Sequence, residues 1–166
     1  LAPPPVLGRL RLPTVVLVAG SGSLDRDGTV AGVPMLSQLA GALAEQGFLV
    51  LRYDKRAVGQ TCGRSDAVTQ ADYADDLIAI VKWLAKRDDV DPRQIVVAGH
   101  GEGGMIAMLA AQREKKIGTL VLMATAGTSG GDLLLEQQGR ELERMQLSDA
   151  DKQQKVALQK QIQAAV

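Results

Sequence analysis

Ile95-Val96-Val97-Ala98-Gly99-His100-Gly101-Glu102-Gly103-Gly104-Met105 is the stretch on which the fold of this 166-residue chain turns. Ile95 to Ala98 is a short apolar run rich in β-branched residues, as expected of a strand buried on both faces. Gly103 to Gln112 is a helical stretch of small and apolar residues. Between them stands Gly-x-Gly-x-Gly, with no residues to spare for a loop. Gly99 and Gly103 let strand and helix backbones approach closely, because neither carries a Cβ.

A strand-to-helix turn written Gly-x-Ser-x-Gly is a nucleophile elbow, whose central residue is strained so that its side chain stands above the sheet. Here both flanking glycines are present and the centre is Gly101. Two other readings compete. Gly99 to Gly104 can be forced into the dinucleotide fingerprint Gly-x-Gly-x-x-Gly. That fingerprint belongs on the first strand of its domain, with an acidic residue ending the next strand. Here two strands and two helices come first, and the following strand ends Met123-Ala124-Thr125. The remaining alternative is a glycine-rich turn with no chemistry.

Working outward, Val6 to Leu12 is expected to form a short strand and Thr14 to Ala19 a buried one, ending in the sharp loop Gly20-Ser21-Gly22-Ser23. Met35 to Gln46 has helical spacing and stops at Gly47, a C-terminal cap. Phe48 to Tyr53 reads as the next strand, and residues 54 to 68 as a glycine-containing loop. Ala71 to Arg87 is an amphipathic helix with Tyr73, Leu77, Ile80, Val81 and Leu84 on one face. Asp91-Pro92 is expected to turn the chain, and Thr119 to Met123 to form a fourth strand. Strands alternating with helices at this spacing predict right-handed βαβ units: an α/β fold, mostly parallel, with helices on both faces. Beyond Ala124 the chain becomes polar. Asp132 to Gln146 and Asp149 to Val166 read as two amphipathic helices, the second opened by Ser148 with Asp151 three residues on, a variant of the capping box.

Composition narrows the function classes. Hydrophobic residues at 46% and charged residues at 23% indicate a globular chain, and aromatics at 2% require an aliphatic core. Lys+Arg and Asp+Glu both number 19. That zero balance argues against a nucleic-acid partner, which needs a basic surface. The lone Cys62 can form neither an internal disulfide nor a zinc site, so no metal and no cofactor are expected. No apolar run reaches the roughly 20 residues of a membrane span. Leu1-Ala2-Pro3-Pro4-Pro5 lacks the basic-then-apolar order of a signal peptide. The first residue is not methionine, so further residues are expected before it. No compartment is assigned.

Several motifs together resemble the α/β-hydrolase superfamily, in its esterase and serine-aminopeptidase-like branch. Val15-Val16-Leu17-Val18-Ala19-Gly20-Ser21-Gly22 is similar to the family's third strand and oxyanion loop, and Leu24-Asp25-Arg26-Asp27-Gly28 to that branch's extension of the loop. Leu51-Arg52-Tyr53-Asp54-Lys55-Arg56-Ala57-Val58-Gly59-Gln60 resembles the fourth strand and its turn, with Ala57 where the family usually writes glycine. With the elbow, the resemblance spans Val6 to Ala126. It implies a hydrolase core over residues 1–126 and an incomplete helical lid over 127–166.

The resemblance also implies roles. The oxyanion hole would use the backbone N–H of Glu102 and that of Ser21 or Gly22, donors that survive the change at Gly101. His100, the only histidine, would be structural, since the residue before the nucleophile points under the sheet or into the pocket wall. The family's acid and histidine come later in chain order than the nucleophile, and neither is expected within this chain. The chain as written is therefore expected to be inactive on a small acyl or ester substrate. Glycine at position 101 suits a chain that has lost the chemistry, by design or by descent. Asp25, Arg26, Asp27, Asp54, Lys55 and Arg56 form a candidate charged cluster, either a brace for the oxyanion loop or a recognition site for a charged substrate end. Two alternatives stand beside ester cleavage: an aminopeptidase-like acyl hydrolase, and a non-catalytic module. The latter would pair through an open edge at Thr119 to Met123, with a second fragment or a homo-oligomer completing the sheet.

Overall fold

The computed structural model describes residues 11–64 and 66–165. The chain divides into two compact units, one ending at Thr125 and one running from Ala126. In the first, β1 (Leu12–Val18) lies between β4 (Leu49–Arg52) and β5 (Val90–His100), and β6 (Thr119–Met123) follows β5 at the edge. All three pairings are parallel, with Val16 opposite Leu51 on one side and Val97 on the other.

Alternation along β1 builds two cores. Val16 and Val18 face one side and pack with Leu77, Val81, Ile106 and Ala107. These belong to α2 (Gln70–Leu84) and α3 (Glu102–Arg113). Val15, Leu17 and Ala19 face the other side with Leu36 and Val50, under α1 (Met35–Glu45). A strand covered on both faces needs a continuous apolar run, and this explains the sequence of β1. The fold class expected from the sequence, a mostly parallel sheet with helices, is the one observed.

Local chemistry sets the helix ends. α1 stops where Gly47 enters the left-handed region at φ 89, and the N–H groups of Gly47 and Phe48 close on Ala44 O and Leu43 O. α2 opens with a complete capping box: the Thr69 side chain accepts from Asp72 N, and the Asp72 carboxylate accepts from Thr69 N at 2.8 Å. That box was not anticipated.

Three points separate the structure from the sequence expectations. The strand at Val6 to Leu12 lies outside the described residues except for its end, and Leu12 belongs to β1. Asp91-Pro92 does not end a strand, because β5 runs from Val90 to His100 straight through it. The register instead slips between Leu12, opposite Val90, and Thr14, opposite Ile95. Pro92 sits in that irregularity, where no ladder donor is needed, and Asp91 accepts from Arg93 N at 3.0 Å. Thirdly, β2 (Thr29–Val30) and β3 (Val33–Pro34) form a small antiparallel hairpin. Its turn residues Ala31 and Gly32 both have positive φ, 50 and 80, as a type I′ turn demands.

The second unit contains α4 (Gly130–Arg144) and α5 (Asp149–Ala164). Ser129 and Ser148 cap them by accepting from Asp132 N and Asp151 N. Gln163 Nε2 donates to Gly131 O at 2.9 Å, tying the end of α5 to the start of α4. Among the described residues, no helix is long and apolar enough to cross a membrane.

Candidate active site

Gly101 is the only residue between the end of β5 and the start of α3. Its backbone has φ 55 and ψ −119. Two hydrogen bonds hold it there: Gly101 N donates to Met123 O at 2.8 Å, and Gly104 N donates to Gly101 O at 3.1 Å. An L residue pays about 1–3 kcal/mol to occupy such a region, whereas glycine enters it freely. The turn therefore passes from strand to helix through one glycine in a backbone region that other residues enter only with strain.

The glycines of the motif are present for different reasons. A Cβ on Gly99 would overlap the backbone of Gly103 and Gly104. A Cβ on Gly103 would overlap the carbonyls of Val18 and Ala19, and one on Gly104 the side chain of Thr125. These glycines exist because backbones touch. At Gly101 an added Cβ would meet only Gly20 Cα, at 4.0 Å. A Cβ at residue 101 would thus rest in ordinary van der Waals contact with the loop that follows β1.

That loop begins with buried Gly20 and continues through exposed Ser21 and Gly22. Among the described residues, neither the Ser21 N–H nor the Glu102 N–H has an acceptor. Unsatisfied donors are ordinary in the first turn of a helix, and Glu102 is the first residue of α3. His100 ends β5, and its Nδ1 would lie 3.1 Å from a Cβ on Gly20, so the imidazole fills the wall behind the loop.

The charged residues resolve into pairs. Arg26 meets Asp54 with both its guanidinium (2.6 and 3.0 Å) and its backbone N–H (2.7 Å), and Gln60 N adds a further donor at 3.1 Å. The Arg26 guanidinium and these backbone donors hold the Asp54 carboxyl well below the usual carboxylate range, against its burial. Asp25 turns inward and accepts from the N–H groups of Asp27 and Gly28. Arg52 reaches Asp27, and Arg56 pairs with Asp76 at 2.6 Å. The residues grouped by sequence are thus shared among separate contacts, three of which link different parts of the chain.

Lys55 departs furthest from expectation. Its side chain is 2% exposed, and it spans from the loop to the elbow, donating to Gly20 O at 2.5 Å and to Glu102 Oε2 at 3.0 Å. Sequence had grouped Lys55 with its neighbours but gave no sign of Glu102, 47 positions later, as its partner. Ala57 occupies φ 58, a left-handed region that glycine enters without strain.

A cavity of about 530 Å³ lies beside this turn, lined by Tyr53, Arg56, Cys62, Arg64 and Asp76 among others. Burial pushes the Tyr53 phenol up. Gly101, Ser21 and Glu102 are not in its lining. Among the described residues, no group of three or more His, Cys, Asp or Glu could hold a metal ion.

Comparison with known proteins agrees with this architecture. The family described as "Serine aminopeptidase, S33" matches residues 28–164. Esterase EstD of Thermotoga maritima is 32% identical over 114 residues, covering 69% of this chain and 27% of EstD. Among solved structures, the α/β-hydrolase GrgF from Penicillium sp. sh18 superposes with a TM-score of 0.65 at 24% identity, covering 86% of this chain and 46% of GrgF. The esterase Pf2001 of Pyrococcus furiosus gives 0.59 at 25% identity, covering 78% and 46%. The chain spans less than half the length of each. The sheet order, the elbow and the family match lead to one conclusion: this chain belongs to the serine aminopeptidase-type α/β-hydrolases.

Proposed function

We propose that this chain comes from a hydrolase that cleaves carboxylic esters through an acyl-enzyme at position 101. With Gly101 in that place, it holds an acyl oxygen without turning the substrate over. The observation that carries the reading is the Gly101 backbone at φ 55 and ψ −119, with room for a Cβ whose nearest neighbour is Gly20 Cα at 4.0 Å. A carbonyl or carboxylate oxygen in that space would accept from the N–H of Glu102 and from that of Ser21 or Gly22. In an acyl transfer, such a donor contributes roughly 3–4 kcal/mol to the transition state. Without a nucleophile the same donors only bind. The start of α3 adds its partial positive charge to that binding.

The roles of the other residues follow. His100 shapes the wall, and Asp25 and Arg26 brace the loop. Residues 1–126 are assigned to the hydrolase core and residues 127–166 to a lid segment. An ester is favoured as substrate because EstD and Pf2001 are named esterases. The family description keeps a peptide-like acyl bond as the alternative, and a comparison of ester and amino-acid anilide ligands separates the two.

The test has two arms. The purified chain should release no p-nitrophenol from p-nitrophenyl butyrate above background, and turnover would overturn the assignment of Gly101. Butyrate added to ¹⁵N-labelled chain should shift the amide signals of Glu102 and of Ser21 or Gly22. A spectrum unchanged by butyrate removes the binding reading.

One observation favours a second reading as an assembly module. Val121 and Leu122 on the edge strand β6 are 44% and 46% exposed, and an exposed apolar edge invites another strand. Sedimentation decides it: a second copy or fragment paired along β6 gives a species heavier than 17.5 kDa, and a strictly monomeric folded chain refutes it.

A further inference from the structure

Lys55 is a buried ammonium whose contacts converge on the loop facing Gly101. Its three N–H donors have three oxygens to serve: Gly20 O at 2.5 Å, Glu102 Oε2 at 3.0 Å and, more loosely, Gly22 O at 3.5 Å. The Tyr73 ring closes the other side, its centroid 5.1 Å from Nζ. No cis peptide bond occurs among the described residues. In a trans peptide the C=O of one residue and the N–H of the next point in opposite directions across the same plane. Drawing Gly20 O onto Lys55 therefore turns the Ser21 N–H away from Lys55, to the opposite side of the loop. Gly20 Cα is the atom that a Cβ on Gly101 would meet, at 4.0 Å, so this peptide lies against position 101.

The second contact has its own consequence. Glu102 carries the other proposed donor on its backbone and a carboxylate on its side chain. Left uncompensated, that carboxylate would repel the same oxygen its N–H attracts. Lys55 neutralises it at 3.0 Å. A compact ammonium with three freely disposed donors can serve two carbonyls and a carboxylate from one point, which a planar guanidinium cannot.

We propose that Lys55 is the positioning residue of this site: one buried ammonium orients the Ser21 N–H through Gly20 O and cancels the charge of Glu102. The inference rests on the reading that Ser21 and Glu102 hold an acyl oxygen, and the experiment keeps the two apart. Lys55→Met alone would strand the Glu102 carboxylate, so the informative protein is the double variant K55M/E102Q, which leaves the net charge unchanged. E102Q alone keeps both carbonyl contacts of Lys55.

Backbone ¹⁵N relaxation of the whole chain reads the order of residues 20–23 without any ligand. These amides should be as rigid as the sheet in the unsubstituted chain and in E102Q, and should become mobile in K55M/E102Q while the sheet signals persist. A loop equally rigid in the double variant, or one already mobile in E102Q, overturns the proposal. Butyrate titration supplies the second readout, with affinity expected to fall at least about tenfold in K55M/E102Q. Equal affinity in the two proteins refutes the role of Lys55 alone. Butyrate that shifts neither Ser21 nor Glu102 in the unsubstituted chain refutes the acyl-binding reading, and the relaxation data still decide whether Lys55 orders the loop.

Discussion

Gly101→Ser isolates the strain of the elbow from its packing. The substituted residue would have to keep φ 55 and ψ −119, at a cost of about 1–3 kcal/mol. Packing adds little, since the nearest atom to the new Cβ is Gly20 Cα at 4.0 Å. Loss of glycine's freedom in the unfolded chain returns about 0.4–1 kcal/mol. The net destabilisation is then roughly 0–2.6 kcal/mol, or up to about 10 °C in Tm for a chain of this size. Thermal melts followed by far-ultraviolet circular dichroism measure it directly. Gly103→Ala is the contrast: its Cβ overlaps the carbonyls of Val18 and Ala19, and no rotamer change relieves a backbone clash, so the cooperative transition should be lost. A serine variant that melts higher than the unsubstituted chain would refute the strain argument. One that fails to fold would refute the claim that position 101 has room for a side chain.

Other perturbations give further checks. Ala57→Gly should stabilise by about 0.5–1 kcal/mol, because an L residue at φ 58 pays about 1–2 kcal/mol and glycine's extra chain entropy recovers only part of the gain; a lower Tm would count against it. Thr69→Ala removes the capping box of α2 and should cost about 1 kcal/mol in urea unfolding, visible as a lower midpoint at constant slope. Asp54→Asn deprives a buried carboxylate site of its charge and should cost about 1.5–3 kcal/mol. Acid titration tests the same group: Asp54 is held below the ordinary range by Arg26, and Asp91 is lowered to about 2, chiefly by the Arg93 side chain. Below about pH 5 the unfolded chain, with aspartates near 3.9, binds protons that the folded one refuses. Stability should therefore be full above that pH and decline as the pH falls toward 2. Asp54→Asn should flatten this decline, and an unchanged profile would show that the pair contributes nothing.

The sheet and the elbow were legible because their signals are local. Thr119 to Met123 is apolar between polar neighbours and is the strand observed, and the glycines around His100 lie where strand must pass directly into helix. The β2–β3 hairpin was not legible, since Ala31 at φ 50 stands where Asn, Asp or Gly would have announced the turn. The extension of β5 through Pro92 was hidden by a residue that ordinarily ends strands and here occupies a register irregularity. Charge pairing was legible only in outline. Neighbouring acidic and basic residues marked a cluster, but Lys55 met Glu102 from a different element, and nothing local to either residue encodes that meeting.

The place of β1 in the sheet also bears on how the chain reaches this structure. Val16 has its strand partners at Leu51 and Val97, so two loops, of 35 and 81 residues, must close before the central strand has both neighbours. Closing them costs about 3 and about 4 kcal/mol of chain entropy, and neither core is complete until β1 is in place between them. Such non-local parallel pairing folds on the millisecond-to-second scale. Among the described residues, the first strand in chain order is thus the one whose second pairing closes the longer loop, and a chain caught before Val97 arrives exposes the apolar row that later becomes its centre.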